Sequence, residues 1–319
     1  MLKYYMAFLL ALVLGAILAF PVLKLCKKFH LSQTILHYVD KHSGKSGTPT
    51  MGGLIFIFAI ILSSIFFLQG QIGGAAIALA TMLGYGLLGF LDDFIKVKFH
   101  KNEGLKPYQK IIGQVGISLI IALYVYFNKG GKLEFFGLDI DIGVFIIPFI
   151  IFFFVAVTNS VNLIDGLDGL AGGVNAVYFL FFGIILALLG QTQYALISFA
   201  AVGALLAFLI VNCFPAKIFM GDTGSLALGG LMAAVAALSG TELLMPILGF
   251  MFVITAFSDI LQVLHYKRTH KRIFLMAPLH HHFEKKGVHE NRIVLVYILI
   301  TLVLGVCLLA IYMALKGFI

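Results

Sequence analysis

Four polar side chains recur at intervals of three in NSVNLIDGLDGLAGG, a stretch that begins at Asn159 and ends at Gly173. They are Asn159, Asn162, Asp165 and Asp168, with Leu, Ile and Val between them and no Lys among them. On a continuous helix this spacing holds any three of the four within about a third of the circumference. Gly166, Gly169, Gly172 and Gly173 let a neighbouring backbone or a ligand approach closely. A solvated turn with helix caps would also use Asn and Asp. Two amides and two carboxylates in regular order between long apolar runs point instead to an acidic site at the edge of a bilayer.

Four other segments carry chemistry. Asp92 and Asp93 are adjacent at the end of an apolar run, and their mutual repulsion prepares one of them to accept a proton, or the pair to hold a divalent cation. In NCFPAKIFMGDTGS, from Asn212 to Ser225, Asp222 stands between Gly221 and Thr223. Alone it reads as an N-cap. With the other four carboxylates beside a basic surface it suggests Mg2+ bridging phosphates. Phe219 suits interfacial packing or stacking on a base. In HSGKSGTPTMGG, residues 42–53, Thr50 could cap the second span, and the Gly-rich loop with Lys45 could cradle a phosphate. It is not a P-loop, because the spacing before Lys is wrong and no strand precedes it. Lys96, Lys98, Lys101, Lys106 and Lys110 read as topology determinants, of which one or two could face a phosphate. MAPLHHHFEKKG, from Met276, contains His280, His281 and His282. Consecutive zinc ligands have poor geometry and no Cys is near, so imidazoles serving a phosphate or sugar fit better. Asp259 suits either the site or a helix contact.

These residues need elements to hold them. The 319-residue chain is 61% hydrophobic and 11% charged, with mean hydropathy +1.06 and no Trp. Apolar runs of about twenty residues predict an all-α polytopic membrane protein. The spans fall at roughly 4–25, 51–69, 74–91, 111–128, 143–158, 173–189, 195–212, 225–239, 244–264 and 293–315, ten in all. Lysine and arginine concentrate in the links after the odd-numbered spans, which the positive-inside rule places in the cytoplasm, with both termini outside. The whole net charge of +8 lies on that face, where it favours anionic lipid and anionic substrate. The outer links are short, and KLEFFGLDIDIG from Lys132 alternates as a small hairpin would. Residues 1–319 read as one integral membrane domain with no soluble appendage. The first apolar run is followed by Lys24, Lys27 and Lys28, the pattern of a retained span. Cys26, Cys213 and Cys307 are too scattered for a disulfide framework or a metal site.

Read in order, GTPTMGG, Asp92–Asp93, NLIDGLDGLAGG, FMGDTGS and APLHHHFE resemble the polyprenyl-phosphate N-acetylhexosamine-1-phosphate transferases. The resemblance covers all five inner links and the ten-span plan, essentially the full chain. The Asp-rich motifs are shared by the wider superfamily, and APLHHHFE points to its muramoyl-pentapeptide branch. The resemblance implies the reaction of UDP-MurNAc-pentapeptide with undecaprenyl phosphate, giving lipid I and UMP with Mg2+ as cofactor. It implies Asp222 as the principal Mg2+ ligand and Asp92 and Asp93 in acid–base or nucleophilic roles. Lys45, Thr50, Asn162, Asp165, Asp168, Asn212 and Phe219 would line the substrate pocket, with Phe219 near uracil. His280, His281 and His282 would hold the sugar-phosphate side. The expected setting is the bacterial plasma membrane, with the lipid bilayer as partner, no nucleic acid, and a homodimer left open.

Two other classes compete. A secondary transporter should place ionisable groups near the bilayer midplane in paired repeats, whereas here charge crowds one face and no repeat is found. A CDP-alcohol phosphotransferase shares the look of DGLDGLAGG but needs Arg where Gly172 stands, and is rejected. A relative that uses UDP-GlcNAc remains the nearest alternative.

Overall fold

The computed structural model describes residues 1–29, 31, 47–68, 73–99, 104–135 and 138–315. The chain is an all-α, multi-pass membrane protein. Its helices are α1 (Leu2–Lys28), α2 (Gly53–Phe67), α3 (Gly73–Lys98), α4 (Pro107–Lys129), α5 (Ile146–Ile164), α6 (Leu170–Leu188), α7 (Thr192–Asn212), α8 (Gly221–Ser239), α9 (Met245–Leu248), α10 (Phe250–Thr269), α11 (Leu279–Lys285) and α12 (Glu290–Leu315). Eight of these are long and apolar enough to cross a membrane. A ninth span is counted if the pair around Gly249, bent by 80°, is taken as one. The second expected span is a 15-residue helix, Gly53–Phe67.

Three boundaries differ from the sequence-based expectation in ways that matter. The third span does not stop at residue 91, because α3 runs on to Lys98 and carries Asp92 and Asp93 within it. The fifth reaches Ile164, so Asn159 and Asn162 sit on its last turns. The ninth is broken rather than straight. Gly249 ends α9 with its N–H on the Met245 carbonyl, and α10 restarts in a new direction.

Helix α8 is the axis of the molecule. It is sheathed by α2, α3 and α5, while α7 is sheathed by α1, α2 and α6. Small residues let α8 be approached so closely. A Cβ on Gly53 would lie 2.2 Å from the Gly224 Cα, and one on Gly89 would lie 2.0 Å from the Asp222 carbonyl oxygen. Close backbone approach through small residues is how helices gain packing energy where water provides no drive between them. Hydroxyls inside the bundle bond back to their own helix: Thr158 to the Phe154 carbonyl, Ser198 to Tyr194, Ser239 to Val235 and Thr301 to Tyr297. No buried hydroxyl in that set is left without a partner in the apolar interior.

The expected hairpin is present as β1 (Lys132–Phe135) and β2 (Leu138–Asp141), antiparallel, with Lys132 opposite Asp141 and Phe135 opposite Leu138. It lies at the end of the bundle where α4 finishes and α5 begins. The chemistry-bearing segments gather at the opposite end.

Candidate active site

The N-terminus of α8 is the foundation of the site. The first N–H groups of any helix have no partner within it. Here Asp93, from the buried face of α3, supplies them: its carboxylate accepts the N–H of Asp222 at 3.2 Å and the N–H of Thr223 at 2.9 Å. The Thr223 hydroxyl donates to the same oxygen at 2.7 Å. Asp93 is therefore the cap of α8, delivered from another helix. Asp222, which alone suggests an N-cap, does not cap; it is the second residue of the helix and its side chain turns outward.

Outward lies a charged knot. The Asp222 Oδ2 accepts from the Lys96 ammonium at 2.9 Å and from Lys110 at 2.7 Å. Its Oδ1 accepts from the Asn162 amide at 2.7 Å, and the same amide reaches the Ser225 hydroxyl at 2.8 Å. Asp92 joins from one turn before Lys96, 2.6 Å from that ammonium and 3.7 Å from Lys110. It also accepts the Leu105 N–H at 2.9 Å, tying down the entry to α4. Ligand oxygens of Asp92, Asp93 and Asp222 all lie within 4.8 Å of one another. Three carboxylates at that spacing form a hard oxygen donor set suited to Mg2+. Asp222 and Asp92 fit best, because the Asp93 oxygens already hold the helix. The two ammonium groups mark the position where positive charge is stabilised.

The Asn/Asp repeat is not a helical spine. α5 ends at Ile164, and 165–169 form a turn before α6. Asn159 points to α4, donating to the Gln114 side chain at 2.8 Å. Asn162 faces Asp222. Asp165 follows, half-buried near three other carboxylates. Desolvation first, and then the charges of Asp222, Asp93 and Asp168, push its carboxyl up to about 8. Asp168 turns away and accepts the Ala216 N–H at 2.9 Å. Asn212 accepts the Gly169 N–H at 3.1 Å and donates to the Ile218 carbonyl at 2.9 Å. Asp168 and Asn212 thus fasten the 213–220 loop to the turn, and only Asn162 and Asp165 face the carboxylate cluster.

The first and fourth inner links are stitched together by backbone. Phe219 donates to the Pro49 carbonyl at 2.8 Å, Gly52 donates to Phe219 at 2.8 Å, and Gly53 donates to Met220 at 3.0 Å. Thr50 does not cap α2, whose N-cap is Gly52 with no side-chain bond. It is fully buried, and its hydroxyl has no partner among the described residues. A Cβ on Gly221 would lie 2.5 Å from both Thr50 Oγ1 and Asp93 Oδ2, so these atoms face one point. Next to it Met51 holds a φ of 69°, a conformation that costs a bulky residue about 1–3 kcal/mol and is kept where the surroundings enforce it. Phe219 itself is half-buried. Lys45 lies outside the described residues.

The three histidines sit on α11 and diverge. His280 is fully buried with neither ring nitrogen bonded among the described residues, packed 4.3 Å from the His281 ring and against Gly166. Burial first, and then the charge of His281, push its imidazole well below the usual range. The His281 Nδ1 pairs with Glu284 at 2.9 Å. The His282 Nδ1 accepts the Leu275 N–H at 3.1 Å, so this ring braces the loop after α10. Asp259, on α10, is half-buried and has no place in the carboxylate cluster.

Some contacts of the site leave little mark in the sequence. Lys96 and Lys110 read in the sequence as topology determinants of which one or two could face a phosphate, and the i, i+4 spacing of Asp92 and Lys96 is that of a helical ion pair. Glu290 accepts the Asp168 N–H across 122 residues, and Gln114 holds Asn159 across 45. No local pattern announces such contacts.

Comparisons with known proteins place the chain in a family. Residues 75–240 match the model of glycosyl transferase family 4. Residues 45–57 match phospho-N-acetylmuramoyl-pentapeptide-transferase signature 1. The chain is 45% identical over 304 residues to the phospho-N-acetylmuramoyl-pentapeptide-transferase of Clostridium perfringens (strain 13 / Type A), covering 94% of this chain and 96% of the relative. It is 42% identical to that of Clostridioides difficile (strain 630), covering 94% and 93%. It is also 42% identical to that of Desulfitobacterium hafniense (strain DSM 10664 / DCB-2), covering 97% and 96%. With such identity along nearly its whole length, this chain belongs to the phospho-N-acetylmuramoyl-pentapeptide-transferase family.

Proposed function

We propose that this protein transfers phospho-MurNAc-pentapeptide from UDP-MurNAc-pentapeptide to undecaprenyl phosphate, forming lipid I and UMP in the synthesis of peptidoglycan. The single observation that carries the chemistry is Asp222 held between Lys96 and Lys110 with Asp92 beside them. Phosphoryl transfer requires positioning and charge neutralisation far more than covalent help. A cluster that already balances carboxylates against ammonium groups at the mouth of a helix bundle provides both.

An oxygen of the lipid phosphate attacks the β-phosphorus of the nucleotide sugar. The bond from that phosphorus to the oxygen bridging the α-phosphate breaks, and UMP leaves with the bond's electron pair. Any proton on the attacking phosphate passes to a carboxylate. We assign that proton to Asp92, because Asp93 is occupied as the cap of α8; a covalent route through an aspartyl phosphate stays open for Asp92 alone. Lys96 and Lys110 are close enough to Asp222 to exchange that carboxylate for a substrate phosphate. Asp222 and Asp92 would hold Mg2+, which would supply charge neutralisation to the diphosphate. Asn162 orients Asp222. Asp165 and the loop through Thr50 and Phe219 would line the nucleotide side, and His280 and His281 would line the sugar-phosphate side across Gly166.

The setting we infer is one domain of ten spans in the bacterial plasma membrane, counting α2 and the bent α9–α10 pair, with both termini outside. Lys24, Lys27, Lys28, Lys96, Lys98, Lys217, Lys267 and Arg268 lie at the end of the bundle that holds the site, and the positive-inside rule makes that end cytoplasmic. A lipid phosphate at headgroup depth then meets a soluble nucleotide at the same level.

The test is UMP release by purified protein from UDP-MurNAc-pentapeptide and undecaprenyl phosphate, with and without Mg2+, beside Asp222→Ala. Metal-dependent release that Asp222→Ala abolishes is expected. Release from UDP-GlcNAc alone would keep the family and overturn the substrate. Consumption of neither nucleotide by folded protein would overturn the reaction.

A further inference from the structure

The turn that presents Asp165 is held in place from a distant part of the chain. Glu290, the first residue of α12, is 8% exposed, and its Oε1 accepts the Asp168 N–H at 2.5 Å. The adjacent His289 ring meets the Phe214 ring edge-on at 5.4 Å. Both contacts join the α11–α12 junction to the unit made of the 165–169 turn and the 213–220 loop. On the other side of that turn the Gly169 N–H goes to Asn212. Gly166, in the middle, is so close to α11 that a Cβ there would lie 2.4 Å from His280 Nε2. The Glu290 carboxylate also sits at the N-terminal ends of both α6 and α12, where the helix dipoles favour negative charge.

We propose that Glu290 is a positioning residue for the nucleotide-sugar pocket, whose hold on the Asp168 backbone sets Asp165 against Asp222 and Gly166 against His280. The proposal rests on the transferase reading above. Glu290 touches neither Asp222 nor the lysines in the contacts described, so it acts through the turn and not through the reacting atoms. The N-terminus of α8 is secured independently by Asp93. Disturbing Glu290 should therefore loosen the substrate side of the site and leave the metal side intact.

Steady-state UMP release by the full-length enzyme separates these sides. In Glu290→Ala, KM for UDP-MurNAc-pentapeptide should rise on the order of tenfold, as expected for a misplaced polar contact. kcat and the half-saturating Mg2+ concentration should stay within about threefold. Glu290→Gln keeps a carbonyl oxygen at the same reach and should restore KM to within about twofold of the unmodified enzyme. Glu290→Asp keeps the charge but withdraws the acceptor by one methylene, so its KM should rise; it serves if Glu290→Ala does not fold. An unchanged KM in both Glu290→Ala and Glu290→Asp would overturn the proposal. So would Glu290→Gln as impaired as Glu290→Ala, since charge rather than the hydrogen bond would then be at work. Absence of UMP release by the unmodified enzyme would instead fault the reaction and take the proposal with it.

Discussion

Asp93 and Thr223 are joined twice: the Thr223 backbone N–H and its hydroxyl both donate to one oxygen of the Asp93 carboxylate, at 2.9 and 2.7 Å. A residue that reads as half of a catalytic pair is thereby the cap of the central helix. Asp93→Ala would leave two helix N–H groups and a hydroxyl without their acceptor, at about 1–3 kcal/mol for each buried donor left unmet. A clear fall in Tm is expected, with loss of turnover. Asp93→Asn keeps one acceptor oxygen and should retain more of both. Asp92→Asn should be the more damaging of the two amide variants in kcat, and the reverse order would return the proton-accepting role to Asp93.

Lys96 and Lys110 converge on one oxygen of Asp222. Replacing either with Met removes a fixed positive charge from the place where phosphate charge must be met. A preorganised donor of this kind is worth about 10²–10³ in kcat. Lys96→Met and Lys110→Met should fall in that range, measured as UMP release at saturating substrate. Lys98→Met, on a residue whose ammonium lies over the Phe94 and Phe99 rings instead, should stay near the unmodified rate.

Gly89 permits α3 to touch the backbone of Asp222. A Cβ there would sit 2.0 Å from the Asp222 carbonyl oxygen, so Gly89→Ala must separate α3 from α8 and carry Asp93 away from its cap. A displacement of about 1 Å in a catalytic group can cost on the order of 10² in rate. Turnover should fall by at least that much while circular dichroism keeps its helical signal. Gly116→Ala, on α4 with open space around the new Cβ, is the matched control and should be silent.

The stability of the protein without divalent cation should have two pH limbs. Asp165 holds its proton in the folded state up to about 8, whereas an unfolded aspartate ionises near about 4. Between those values the unfolded chain binds fewer protons, so stability falls as pH rises from about 4 towards about 8. His280 resists protonation when folded, whereas the unfolded imidazole takes a proton below about 6.5. Its contribution is therefore present above that pH and lost as pH falls through it. Tm measured against pH should show that Asp165→Asn weakens the alkaline decline and that His280→Gln weakens the acid one. Unchanged profiles would mean that neither group's surroundings shift its titration.

The sequence by itself determined the class of this protein and the links from which its candidate site is drawn. Apolar runs of bilayer length leave no other fold, because a chain so poor in charge has to bury its backbone bonds in helices. Carboxylates, glycines and histidines crowded into those links mark the candidates, because such groups are too costly inside a bilayer to occur there without partners. The tertiary structure decided which of them work together. Spacing along a chain reports only local geometry, and α5 ends at Ile164, so the regular Asn159-to-Asp168 series is divided among four directions. Asn159 goes to α4, Asn162 to Asp222, Asp165 towards the carboxylate cluster, and Asp168 to the 213–220 loop. The same holds for Asp92 and Asp93, neighbours in sequence that separate into a charged cluster and a helix cap. Consecutive residues on a helix point about 100° apart, and which side faces α8 is settled by Gly86 and Gly89 packing against it. Glu290 carries no local mark at all, since its partner lies 122 residues away and only the packing of α12 beside α6 brings the two together.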